Sequence, residues 1–301
     1  MTGCFAMRPC WRGAAAAVLA ALPMLAPAAD QHPHADTPYI PTPPAVVDVM
    51  LDLARVGPED YVIDLGSGDG RIVIAAAKKR GARGFGVEID GALVSDARRE
   101  ALRQGVAGRV EFKAQNLFIT DIGRATVVTL YLYRRLLLQL RPRLFEALKP
   151  GVRVVSHDFD MDNWRPDAHV TVPVPEKPYG PPSSEVYLWI IPANAAGAWK
   201  WRSQEGAAPV EYELSLHQMF QMLDGGGVAA GRPLRLESGR MRGDEIRLML
   251  TAEVEGRTLR QEFHGRVDGE AISGKVKLPG GGERDWSATR VRRGSIRITD
   301  E

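Results

Sequence analysis

The chain has 301 residues, 45% of them hydrophobic and 25% charged, with 39 Lys and Arg against 37 Asp and Glu. These values suit an ordinary globular protein of about two domains, and the near-neutral balance argues against nucleic-acid binding through a broad basic face. Both cysteines, Cys4 and Cys10, lie near the start of the chain.

The N-terminus comes first. Arg8 and Arg12 lead into an Ala/Leu-rich stretch, Gly13 to Pro27, and Ala26-Pro27-Ala28 places small residues where a signal peptidase reads them. The pattern predicts a signal peptide over residues 1–28 and an exported protein, periplasmic or secreted. An uncleaved membrane anchor is the alternative, but a span needs roughly 20 apolar residues and this stretch carries Pro23 and Pro27. A mitochondrial transit peptide would be richer in Arg and Ser. Cleavage after Ala28 removes both cysteines and leaves 37 basic against 37 acidic residues, with no disulfide or cysteine metal site.

Residues 29–44 form a proline-rich lead-in, and Val46, Val49, Met50 and Leu53 then recur at helical spacing until Gly57-Pro58. Tyr61 to Leu65 reads as a buried strand and Ile72 to Lys79 as the opening of a helix. Between them runs Asp64-Leu65-Gly66-Ser67-Gly68-Asp69-Gly70, a turn whose glycines let the backbone approach a ligand closely. The next strand, Gly84 to Asp90, carries Glu88, placed to accept hydrogen bonds from a ribose diol. The glycine spacing is G-x-G-x-G rather than the G-x-G-x-x-G of a dinucleotide site. Two carboxylates, Asp64 and Asp69, would repel a pyrophosphate and suit a cationic ligand such as the ammonium and sulfonium of S-adenosylmethionine.

The stretch resembles motif I and its acidic partner in the class I, seven-strand, S-adenosylmethionine-dependent methyltransferases. Further segments fit in order: Val110 to Leu117 as the third strand, Thr126 to Tyr131 as the fourth, and Leu148-Lys149-Pro150-Gly151 leading into a fifth that ends at Ser156-His157-Asp158. The resemblance implies a Rossmann-like, doubly wound seven-stranded α/β sheet over residues 45–192. It implies cofactor contacts from Tyr39, Thr42, Asp64, Gly66, Ser67, Gly68, Gly70, Glu88, Asn116 and Leu117. Asn116 stands where the family usually has Asp; its amide oxygen can still accept a hydrogen bond from an adenine amino group. Thr37 to Pro43, the Thr-Leu-Tyr-Leu segment and Ser156 to Phe159 resemble one group within the class, the mitochondrial lysine methyltransferases of the ATP synthase c-subunit and adenine nucleotide translocase, with their bacterial relatives. That narrower resemblance implies a protein lysine acceptor in or near a membrane.

Residues 160–184 are rich in Pro and Asp and predict an irregular loop, and Glu185 to Ile191 a closing strand. Beyond Pro192 the pattern changes to short alternating strands, among them Tyr212 to Gln218, Ile246 to Ala252 and Ile272 to Leu278. Turns are expected at Asp224 to Gly227, Gly243-Asp244, Asp268-Gly269 and Gly280 to Gly282, so residues 198–301 read as a separate antiparallel β domain, sandwich or barrel. His217 and His264 read as surface or core histidines, and no metal cluster is visible.

Methyl transfer needs donor and nucleophile held in line, without a metal or covalent intermediate. Tyr131, His157 and Asp158 are the catalytic candidates, with Tyr133 and Tyr39 as aromatic walls for an approaching lysine. Core packing competes for each tyrosine, and a structural hydrogen bond at the strand end competes for His157 and Asp158. Three classes stand: a protein lysine methyltransferase, a small-molecule methyltransferase, and an exported non-catalytic binding protein that keeps the fold. The third gains weight because S-adenosylmethionine is made in the cytoplasm.

Overall fold

A computed structural model describes residues 1–3, 39–178, 180–204, 209–254, 256–278 and 281–299. The signal-peptide segment beyond Gly3 and the lead-in up to Pro38 lie outside the described residues.

The first helix, α1 (Pro44–Leu53), starts with Pro at its first position, where a missing N–H costs nothing, and buries Val46, Val47, Met50 and Leu51. Strands β1 (Tyr61–Leu65), β2 (Arg83–Glu88), β3 (Val110–Ala114), β4 (Val127–Leu130) and β5 (Arg153–His157) alternate with helices α2 (Arg71–Arg80), α3 (Gly91–Arg103) and α4 (Arg134–Ala147). With β6 (Ala168–Pro173) and β7 (Ser183–Ile190) they form one sheet in the order β3-β2-β1-β4-β5-β7-β6. All pairs are parallel except those of β7, which runs antiparallel to both β5 and β6. Strand order reverses between β1 and β4, and that is the crevice where ligands of open α/β sheets bind.

The expected irregular loop over 160–184 is in part a strand. β6 pairs along β7 and ends at Pro173, which an edge strand tolerates because its outer N–H groups have no partner to lose. Residues 158–167, linking β5 to β6, hold no helix, only a bridge between Met161 and Trp164.

Eight further strands follow: β8 (Gly197–Gln204), β9 (Pro209–Met219), β10 (Met222–Ala229), β11 (Arg232–Arg242), β12 (Glu245–Val254), β13 (Arg257–Asp268), β14 (Ala271–Lys277) and β15 (Glu283–Arg293). Each pairs antiparallel with the next, and β15 returns to β8, which closes an up-and-down barrel. Its interior is filled by Trp199, Trp201, Tyr212, Phe263 and Trp286 among aliphatic neighbours. A short β16 (Ile296–Arg297) lies parallel to β9.

The expected turn at Asp224 to Gly227 lies instead inside β10. A Cβ on Gly225 or Gly227 would meet the carbonyls of Ser215 and Glu213, so the glycines serve close backbone approach rather than chain reversal. The reversal falls earlier, at Phe220-Gln221, and that tip is buried in the core of the α/β half with Trp164, Trp189 and Leu144. From Tyr39 onward the chain forms one compact unit.

Candidate active site

The glycine turn leaves β1 at the crevice and enters α2 through Gly70, whose left-handed backbone (φ 77°) makes it the N-cap. Gly66 and Ser67 donate backbone hydrogen bonds to Val87 O at 2.9 and 2.8 Å, which fastens the turn to β2. Gly68 also has a positive φ, and a Cβ there would run into the ring of Tyr39. Glu88, at the end of β2, accepts from Gly68 N at 3.0 Å, Ile89 N at 2.7 Å and Asp90 N at 3.1 Å. Three backbone amides thus orient a carboxylate whose two oxygens offer about four acceptor sites, leaving Oε2 able to accept from a ribose hydroxyl.

Asp64 is 2% exposed. Its register partner on β4, Thr129, donates a hydrogen bond to it at 2.8 Å. Burial, with Glu88 and Asp69 nearby and only partly offset by Thr129, pushes its carboxyl up to about 7. A cation beside it would restore the ionised form.

Asp69 does not act as the second free carboxylate that the sequence suggests. Arg71 grips it through Nε at 2.9 Å and Nη2 at 2.7 Å. Burial alone would raise Asp69, but this fork of hydrogen bonds and charge holds it below the usual carboxylate range. The same guanidinium reaches Thr42 O at 3.0 Å and the Tyr39 hydroxyl at 3.4 Å. Arg71 therefore ties residues 39–42 down over the glycine turn. Arg71 directly follows the turn, and its role rests on contacts that spacing alone does not signal.

Thr42 continues the strap. Its hydroxyl lies 3.2 Å from His157 Nδ1, while Ser184 Oγ lies 2.9 Å from Nε2. His157 is fully buried, and burial pulls its pKa down to about 4, against the opposing pull of Asp158. A neutral imidazole between two hydroxyls joins the strap, β5 and β7; it is a poor proton acceptor. Asp158 (φ 61°) is engaged as well: it accepts from Lys177 Nζ at 2.7 Å and Glu185 N at 3.0 Å. Burial opposes its ionisation, but the Lys177 ammonium and these hydrogen bonds hold its pKa down.

Above His157 lies an aromatic wall. The Tyr131 ring is 3.9 Å from the imidazole and 6.4 Å from Phe159, and Tyr133 meets Phe159 edge-on at 5.7 Å. Asn116 caps the single turn Leu117–Ile119, accepting from Phe118 N at 2.9 Å, so one of its acceptor sites is already used. No group of three or more His, Cys, Asp or Glu able to hold a metal ion occurs among the described residues.

A family profile, the ANTKMT methyltransferase domain, matches residues 64–168, from the glycine turn to the start of β6. A protein-lysine N-methyltransferase of Saccharolobus islandicus (strain REY15A) is 42% identical over 160 residues, which is 53% of this chain and 95% of that protein. The chain belongs to this methyltransferase family. The human lysine N-methyltransferase of the ATP synthase c-subunit is 34% identical over 134 residues, 44% of this chain and 56% of its own length. This methyltransferase thus spans little more than half of that relative. A crystal structure of an RNA methyltransferase from Salinibacter ruber with S-adenosyl-L-homocysteine shows 53% identity over 50% of this chain and 93% of its own, with a TM-score of 0.46.

S-adenosylmethionine is the cofactor, and the residues present fit it. Glu88 offers an oriented carboxylate for a ribose. The glycine turn lies at the mouth of the crevice, and the dry, proton-holding Asp64 is where a positive charge would be most welcome.

Proposed function

We propose that this methyltransferase modifies the ε-amine of a lysine on a protein. The observation that carries the reading is an aromatic wall whose neighbouring titratable groups are all committed. Next to Tyr131, Tyr133 and Phe159, His157 is neutral with a pKa near 4 and Asp158 is held by Lys177. An alcohol or carbon acceptor would need a base there. A lysine needs none once it has been desolvated. Its free pKa of about 10.4 falls in apolar surroundings, and the proton can leave to water before the amine attacks.

When bound, S-adenosylmethionine supplies an electrophilic methyl group. The chain's own residues do the rest: Glu88 and the glycine turn orient the donor, the strap at Tyr39 and Thr42 covers it, and the aromatic wall strips water from the amine and aligns it. The lysine methyltransferases among its relatives, including one named for the adenine nucleotide translocase, support the protein acceptor, and the resemblance to this group supports an acceptor in or near a membrane. The test is incubation of the purified protein with labelled cofactor and separated membrane, soluble-protein and metabolite fractions, followed by mass spectrometry. Methyl groups found on small metabolites alone would overturn the lysine reading. The first 28 residues support export, which cell fractionation would test; a purely cytoplasmic protein would refute it.

A further inference from the structure

The barrel touches the α/β half through the tip of its β9–β10 hairpin. Phe220 is 2% exposed and holds a left-handed backbone (φ 53°), which a bulky non-glycine residue adopts only under constraint. Its ring stacks on Trp164 at 5.9 Å and 14°, meets Phe145 at 5.9 Å, and lies under the Arg141 guanidinium at 5.1 Å. Next to it, Gln221 Nε2 donates to Arg165 O at 2.6 Å, and its backbone oxygen accepts from Met241 N at 2.7 Å. On the barrel side Gln218 braces the tip, donating to Phe220 O at 2.8 Å and Ala193 O at 3.1 Å.

Two of the groups gripped by this tip, Trp164 and Arg165, belong to the helix-free link between β5 and β6, and the other two, Arg141 and Phe145, to α4. Arg141, pressed on Phe220, donates to Met161 O at 3.0 Å and Asn163 Oδ1 at 2.7 Å. The upstream end of the same link is Phe159, whose carbonyl accepts from Ser156 Oγ at 2.7 Å and whose ring completes the aromatic wall with Tyr131 and Tyr133. A link without a helix has few hydrogen bonds of its own to fix its path. Its path is fixed by neighbours instead: Arg141, Trp189 Nε1, which donates to Trp164 O at 2.7 Å, and, from behind, the barrel tip.

We propose that Phe220 and Gln221 are positioning residues for the acceptor site: the barrel holds residues 159–165, and through them the aromatic wall, in the geometry the acceptor meets. This rests on the reading of that wall as the acceptor surface. The glycine turn and Glu88, at the ends of β1 and β2, lie on the other side of the sheet's centre from β5 and its link.

The experiment uses the full chain, an N-terminally acetylated pentapeptide with one free lysine as acceptor, and hydrogen exchange in parallel. Phe220→Ala is expected to lower kcat/KM for the peptide by about 10- to 100-fold, the size expected when a remote change misplaces a reacting group by about an ångström. Cofactor affinity should stay within about twofold, as for distant independent sites. Amides of residues 161–165 should lose protection while those of the glycine turn keep it, and Phe220→Leu should recover part of both effects. If Phe220→Ala does not fold, Gln221→Ala carries the same expectations in smaller measure. Unchanged kcat/KM and unchanged protection at 161–165 would overturn the proposal, as would a parallel loss of cofactor affinity. A wild-type protein that leaves the peptide unmethylated would count against the lysine reading, and the exchange measurement would still decide the role of the tip.

Discussion

Asp64 holds its proton near neutral pH because ionisation there is penalised by burial and by two neighbouring carboxylates. Its folded pKa, about 7, lies above the unfolded value of 3.8, so the stability of the free protein falls as pH rises between these two values and then levels off. A cationic ligand reverses the penalty. Cofactor affinity should therefore rise between about pH 6 and about pH 8, with release of a proton on binding. Titration calorimetry in buffers of different ionisation enthalpy measures both, and a flat affinity profile with no proton release would contradict the assignment. The neighbours set the sign of two variants. Asp69→Asn removes a charge that raises Asp64 and should move the profile to lower pH. Arg71→Met leaves Asp69 unpaired and should move it higher. For Glu88→Ala, losing charge-assisted hydrogen bonds on the order of 2–3 kcal/mol should weaken cofactor binding by about 30- to 150-fold; wild-type affinity in the same calorimeter would remove Glu88 from the site. That Asp64, the three glycines and Glu88 meet at one end of β1 and β2 was legible in sequence, because their meeting follows from a spacing that one dimension records. The state of Asp69 was not, since it depends on a guanidinium two residues away folding back on it. Nor was that of His157, since its low pKa comes from burial between Thr42 and Ser184, residues 115 and 27 positions away.

Among elements, strands and helices with a clear period were readable and the exceptions have physical causes. β6 was hidden because an edge strand buries little, and only Val172 on it is buried. The glycine run in β10 was read as a turn because glycine signals both reversal and close approach, and only the partner strand distinguishes them. That distinction predicts unequal costs for one substitution. Gly227→Ala puts a methyl group into the Glu213 carbonyl and should destabilise the protein by more than about 2 kcal/mol by breaking the β9–β10 pairing. Gly231→Ala meets open space at φ 77° and should cost about 1–2 kcal/mol, the penalty of a left-handed backbone alone. Urea denaturation of the two variants gives the comparison, and equal losses would mean that β10 is not pressed against β9 as described.

At the scale of the whole molecule, the barrel and the sheet share a boundary that alternation and turn signals could not reveal, because a buried hairpin tip looks in sequence like any other turn. Phe220 lies in the core of the α/β half, Ala193 N bonds Gly243 O at 2.7 Å, and Arg240 pairs at 2.7 Å with Asp167, whose side chain is almost wholly buried and also accepts from Ile190 N. Cutting the chain near residue 195 would leave Trp164 facing water where Phe220 had been, so the two halves should not unfold independently. Tryptophans report on each: Trp164 and Trp189 in the α/β half, Trp199, Trp201 and Trp286 in the barrel. Cofactor at about 100 times its Kd stabilises the folded state by about 2.7 kcal/mol. In the wild type that increment should raise the Tm of both sets of reporters together, in a single transition. In Phe220→Ala the coupling is weakened at this buried aromatic contact, so the cofactor should raise the transition seen by Trp164 and Trp189 more than that of the barrel tryptophans. Fluorescence and circular dichroism melts with single Trp→Phe variants separate the two signals. Barrel reporters that ignore the cofactor in the wild type would show that the shared boundary does not couple the two halves.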